Sequence, residues 1–147
     1  MKKLNIVLAA LLGFAAFSAQ ADVANAEKLA KKYTTIAKTA NPDFAGTSVA
    51  DGKLFFNRKI KSVSGKEMAC ASCHTANPAD AGKNVATGKA IAPLSPVVNA
   101  KRFNDVDKVE SKFTQHCNEI IGSDCTAAEK ANYITYLLTE KTPSAKK

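Results

Sequence analysis

A small all-α domain is the fold class this sequence predicts. Three observations predict it. Apolar residues recur at three- and four-residue spacing in four stretches, residues that start and stop helices stand at the ends of those stretches, and no strand-like alternation surrounds the first cysteine pair.

In chain order, residues 1–21 read as a secretory signal peptide. Lys2 and Lys3 form a basic start, residues 6–17 an apolar run, and Ala19-Gln20-Ala21 a small-x-small cleavage site. The run is shorter than the roughly 20 apolar residues a bilayer-spanning helix needs. Removing 21 of the 147 residues leaves 126, which as residues 22–147 suffice for one domain around one core. The expected compartment is a bacterial periplasm, with cleavage after Ala21.

The domain's first helix is expected over residues 23–39. Val23, Ala26, Ala30, Tyr33 and Ala37 make an apolar stripe with lysines opposite, and Asn41-Pro42 ends it. Ser48 can cap a second helix through Asn57 that would bury Val49, Leu54 and Phe55. Residues 60–67 read as a looser segment. Residues 77–99 hold Pro78, Pro93 and Pro96, cannot be one helix, and read as a loop. Asn104 or Asp105 can cap a third helix that runs to Ile121 and stops at Gly122, with Val106, Val109, Phe113, Cys117 and Ile120 on its apolar side. Thr126-Ala127-Ala128-Glu129 has the form of a capping box opening a last helix, with Ala131, Ile134, Leu137 and Leu138 inward and Pro143 beyond its end.

Between the second and third helices stands Cys70-Ala71-Ser72-Cys73-His74. C-x-x-C-H is the attachment pattern of a c-type haem, in which two thiols add across the haem vinyl groups and the histidine ligates the iron from one face. Other uses of such cysteines fit poorly. A structural zinc site wants four Cys/His ligands, commonly in two spaced pairs, and Cys117 and Cys125 lack that spacing. A thioredoxin-like pair wants a βαβ context, which this sequence does not offer. The domain therefore reads as helices folded round one covalent haem held by Cys70 and Cys73, with His74 as proximal ligand.

An electron-carrying cytochrome c often closes the other face of its haem with methionine. Here the only methionines are Met1, in the leader, and Met68, two residues before the first haem cysteine and on the wrong side. His116 is the only other histidine, and it flanks the apolar stripe of the third helix. The second ligand is His116, or the haem is five-coordinate with His116 lining its pocket. Cys117 and Cys125 remain as a pair in a disulfide-permissive compartment. Closing so short a loop would stabilise the fold by roughly 2–3 kcal/mol in the chain-entropy account. The pair reads as a plain staple or as a limit on how far His116 can move.

The remaining candidates are secondary. Pro93 or Pro96 can offer a carbonyl to the His74 ring N–H. Arg58, Lys101 and Arg102 are candidates to pair with haem propionates, and Tyr33, Phe55, Phe56 and Phe103 read as core or haem-edge packing. Two of the 21 basic residues and none of the 13 acidic ones precede Asp22, so the remainder carries a formal charge of +6. That modest excess is scattered and poor in aromatics. It suits a solvated surface or an acidic protein partner and does not suggest nucleic acid.

Beyond the C-x-x-C-H pattern, the chain closely resembles the cytochrome c″ family of monohaem cytochromes and, more distantly, the sphaeroides haem protein family. The resemblance runs from Asp22 to Glu140. It is carried by DGKLFFNRK (51–59), CASCH (70–74), TGKAIAPLSP (87–96), KRFNDVDKVE (101–110), HCNEIIGSDC (116–125) and EKANYITYLL (129–138). It implies a class I-like cytochrome c fold with an extra N-terminal helix. The sphaeroides proteins carry asparagine, their labile sixth ligand, immediately before the first disulfide cysteine; cytochromes c″ carry histidine there, as this chain carries His116. The likeness to cytochrome c″ thus implies a low-spin bis-histidine haem when oxidised and a distal His116 that leaves the iron on reduction. A released imidazole can take up a proton that a bound one cannot. The expected role is one-electron transfer coupled to proton uptake, not enzymatic catalysis, by a monomer without a membrane span. Its expected partner is a redox protein; the alternative is a ferrous haem that binds O2, NO or CO.

Overall fold

The computed structural model of the protein describes residues 4–145, with side chains from residue 20 onward; Lys2 and Lys3 of the expected leader lie outside the described residues. The chain order is α1 (Leu4–Ala40), α2 (Val49–Asn57), β1 (Ile60–Lys61), β2 (Glu67–Met68), α3 (Ala71–His74), β3 (Gly82–Lys83), β4 (Ala90–Ile91), α4 (Val106–Ile121) and α5 (Ala127–Thr139). The fold is all-α, with two short hairpins as the only strands among the described residues.

Local signals set most helix ends. The Ser48 side chain accepts from the Asp51 amide to cap α2, and Asp105 accepts from Lys108 to cap α4. Gly122 ends α4 in the left-handed region at φ 86°, where a side chain would be strained. Thr126 and Glu129 satisfy each other's backbone amides in a complete capping box at α5.

Helix α5 is the axis of the core. It packs along α1 on one side and across α2 on another. Ala26, Leu29, Ala30 and Tyr33 of α1 meet Ala131, Ile134 and Leu137 of α5, and Phe56, Leu94 and Phe103 close the cluster. The Asn132 side-chain oxygen accepts from the Ser48 amide at 2.8 Å, tying the start of α2 to the middle of α5. Asp22 and Asn25 hold the approach to α4: the Asp22 carboxylate accepts from the Phe103 amide at 2.7 Å, and the Asn25 amide donates to the Phe103 carbonyl at 3.1 Å. Burial of Asp22 pushes its carboxyl above the usual range, against the pull of the Phe103 and Arg102 amides.

Three expectations are corrected. Helix α2 does not bury Val49 and Leu54, which are exposed; it turns Phe56 and Gly52 inward, leaving Phe55 half-buried. The inward direction is set by contact with α5, which a nine-residue helix cannot reveal through its own periodicity. Residues 60–67 form an antiparallel hairpin, with Ile60 opposite Met68 and Lys61 opposite Glu67. Residues 77–99 include a second hairpin, Gly82 opposite Ile91 and Lys83 opposite Ala90. Paired segments of two residues are too short for alternation to register.

Candidate haem site

Cys70 and Cys73 lie at the ends of one tight turn. The Cys73 and His74 amides both donate to the Cys70 carbonyl, at 3.2 and 3.1 Å, placing both thiols and the His74 ring within one turn of backbone. The turn is braced at its start by the Ser72 hydroxyl, which accepts from the Ala69 amide at 3.0 Å. At its end Thr75 has φ 61° and ψ 171°, strained for a β-branched residue. From below, β3 presses Gly82 so close that a Cβ there would run into the Cys73 carbonyl and the His74 Cα. Glycine is required by that approach.

Opposite this turn, α4 presents His116. The His74 and His116 imidazoles have ring centres 6.4 Å apart and planes inclined by 36°. Between α4 and the segment from α2 to Cys70 lies a cavity lined by Phe55, Arg58, Ile60, Ala69 and Cys70 on one side. His116, Cys117, Ile120, Ile121 and Cys125 line the other. Cys117 and Cys125 are disulfide-bonded, with Cα atoms 5.6 Å apart, joining the last turn of α4 to the start of α5.

Electrostatics keep the site neutral. Burial pushes the Cys70 thiol up to about 11, with its own amide and Arg58 pulling the other way. Burial lowers His74 to about 4, helped by His116 and Arg102. His116 is also lowered by burial and by Lys112 and Arg102, while the Glu119 carboxylate opposes them. Neutral imidazoles keep a ring-nitrogen lone pair free for iron ligation.

The donor set fits a haem by one further test. A metal–imidazole bond of about 2 Å and a nitrogen about 1.1 Å from its ring centre put two opposed ring centres about 6.2 Å apart. The separation in this structure is 6.4 Å. Both free cysteines belong to the same turn. Among the described residues no three His, Cys, Asp or Glu side chains converge as a bare metal-ion site would require.

The secondary candidates are placed as follows. The Pro93 carbonyl accepts from the Asn99 side chain at 2.9 Å and from Arg102 Nε at 3.1 Å, so it serves those groups and not the His74 ring. Arg102 also donates to the Ala92 carbonyl at 2.7 Å, bracing the loop after β4. Arg58 lies over the Phe55 ring, 3.7 Å from Glu129, on the cavity wall. Lys101 is exposed. Tyr133 was missing from the sequence reading. It packs edge-on against Phe113 at 4.9 Å and Phe55 at 6.3 Å, and burial holds its phenol well above the ordinary range, with Cys70 adding to and Arg102 opposing the shift. Its position one residue off the Ile134–Leu137 stripe is the signal that marks it as lying beside the core.

A helical domain with a C-x-x-C-H turn facing a second histidine defines a monohaem c-type cytochrome. Residues 42–137 match a family described as a domain of unknown function (DUF1924). The chain is 64% identical over 126 residues to cytochrome c″ of Methylophilus methylotrophus, covering 86% of this chain and 88% of that protein. The crystal structure of that protein in its oxidized form superposes with a TM-score of 0.79 over 83% of this chain and 99% of its own. The cytochrome c-type protein SHP of Cereibacter sphaeroides is 42% identical over 72 residues, 49% of this chain and 55% of that protein. The structure of oxidized SHP, an oxygen-binding cytochrome c, is 31% identical and has a TM-score of 0.62 over 74% of this chain and 94% of its own. The chain belongs to the cytochrome c″ family, and its cofactor is one covalent haem c.

Proposed function

We propose that the protein is a periplasmic one-electron carrier in which His116 is a detachable distal ligand that takes up a proton when it leaves the iron. The observation that carries this reading is the 6.4 Å separation of the His74 and His116 ring centres, the spacing two ligands of one metal would have. Cys70 and Cys73 would hold the haem through thioether bonds, and His74 would be the proximal ligand. The haem, when bound, supplies reversible one-electron chemistry at iron.

The protein's residues account for the rest. His74 sits in a turn braced by Ser72 and Gly82, which gives it little room to move. His116 stands on α4, exposed at the helix surface, with its proton affinity lowered by partial desolvation and by Lys112 and Arg102. Once off the iron, its freed ring nitrogen can accept a proton, and Glu119 is the neighbouring carboxylate that favours the charged ring. Among the described residues no helix is long and apolar enough to cross a membrane. The proposal includes cleavage after Ala21 and export of residues 22–147 to the periplasm.

The test is the absorption spectrum of both oxidation states from pH 4 to 9, for the holoprotein and for His116→Ala. The expected ferric protein is low-spin and becomes high-spin on reduction, whereas the His116→Ala ferric protein is high-spin throughout. A ferrous form that stays low-spin across that range rules the mechanism out. The similarity to an oxygen-binding cytochrome c supports a second reading, capture of O2, NO or CO at the position His116 vacates. Rapid mixing of the ferrous protein with each gas separates the two, since stable binding with turnover favours capture.

A further inference from the structure

We propose that Lys130 is a positioning residue for His116, acting through Asp124 and the Cys117–Cys125 disulfide. The proposal rests on His116 being the distal ligand. Lys130 lies in the second turn of α5, and its side chain is only 8% exposed. Burying an ammonium is costly unless it is paired and hydrogen-bonded, and packing alone gives no reason for a cation at this place. Its Nζ donates to Asp124 Oδ2 at 2.8 Å. It also lies 5.4 Å from the centre of the Tyr33 ring of α1 and 6.0 Å from that of Phe113 of α4, within the range of cation–π attraction. One ammonium thus touches α1, α4 and the connection that leads into α5.

Asp124 passes this restraint toward the site. Its Oδ1 accepts from the Cys125 amide at 2.9 Å, and Cys125 is bonded to Cys117, the residue after His116. Hydrogen bonding to Lys130 holds the Asp124 carboxyl below the usual range, as a committed partner of the ammonium would be. The other end of α4 has its own tether, Glu110 accepting from Lys32 at 2.7 Å and from Tyr33 at 2.8 Å. The last turns of α4, where His116 lies, have the Lys130–Asp124 pair and the disulfide as theirs. Without the pair, the connection over residues 122–125 stays closed by the disulfide but loses the contact that seats it on α5. His116 should then leave its place more readily.

The ferric holoprotein tests this through the rate at which external imidazole replaces His116, read at saturating imidazole, where the rate is set by His116 leaving. Lys130→Met keeps the length of the side chain without its charge and should raise that limiting rate by about tenfold, the size of coupling between contacting residues. Asp124→Asn should raise it in the same direction, and Lys130→Arg, which can still reach the carboxylate, should restore most of the wild-type rate. Ile134→Val is the control, because it lowers thermal stability through the same helix without touching the pair; its limiting rate should equal the wild type's. If Lys130→Met does not load haem, Asp124→Asn carries the same expectation. Hydrogen exchange at residues 117–125 should quicken in both variants. Wild-type rates in Lys130→Met and Asp124→Asn, or an equal rise in Ile134→Val, overturn the proposal. A wild-type ferric protein that is high-spin and shows no rate limit overturns instead the assignment of His116 as ligand.

Discussion

The His116 ring has three charged neighbours that pull in opposite directions. Lys112 on its own helix and Arg102 on the loop before α4 disfavour a protonated imidazole, while Glu119, one turn further along α4, favours it. Desolvation, Lys112 and Arg102 together outweigh Glu119, so a ring that stayed where the structure has it would protonate below the ordinary histidine range. Glu119 is exposed and accepts from Gln115 at 2.8 Å, so its effect is that of a screened charge on a helix surface. Glu119→Gln removes the favourable charge and should lower the proton affinity of the released ring by about 0.2–0.4 pH unit, from the strength of such helix pairs. The measurement is the pH at which the reduction potential stops depending on pH. It should move to more acid values, and a move the other way would show that Glu119 does not act on His116.

At the scale of elements, the haem turn depends on β3. Gly82→Ala would drive a methyl group into the Cys73 carbonyl and the His74 Cα, both of them backbone atoms that cannot yield as a side-chain tip can. Forced overpacking of this kind costs about 1–3 kcal/mol, which the midpoint of guanidinium unfolding of the ferric holoprotein should register; an unchanged midpoint would show that the hairpin gives way freely. This contact was not legible in the sequence, because β3 and β4 are two residues each and pair across a loop that reads only as proline-rich. The helix ends were legible: Ser48, Asp105, Gly122, Thr126 and Glu129 act within a few residues of themselves, so their roles survive without knowledge of the fold. Leu54 was misread for the opposite reason. Whether it or Phe56 faces inward is decided by where α5 lies, a contact far away in sequence. Lys130 escaped for a similar reason, since a lysine on an otherwise apolar helix looks solvated until Tyr33, Phe113 and Asp124 are seen to surround it. The histidine pair was legible in part: the absence of a usable methionine singled out His116, while its distance from His74 needed the packing of α4.

On the scale of the whole molecule, the proposed release of His116 joins an electron to a proton. If reduction frees an imidazole that then binds a proton, the proton is a reactant, so acid favours the reduced form and the potential rises as pH falls. For one proton per electron the limiting slope is about 59 mV per pH unit. The slope should appear only below the proton affinity of the released ring, which is about 6.5 when that ring reaches water and lower when it stays among Phe113, Ile120 and the disulfide. Above it the released ring is neutral and the slope vanishes. A potentiometric titration from pH 4 to 9 therefore reports how far His116 travels: a break at about 6.5 means a solvated ring, and a more acid break means a ring still held where the structure has it. His116→Ala provides the reference. It removes the only ring that release would expose, so its potential should lose the acid slope. A slope that persists would place the coupled proton on another group, with a haem propionate beside Arg58 or Arg102 the first to examine.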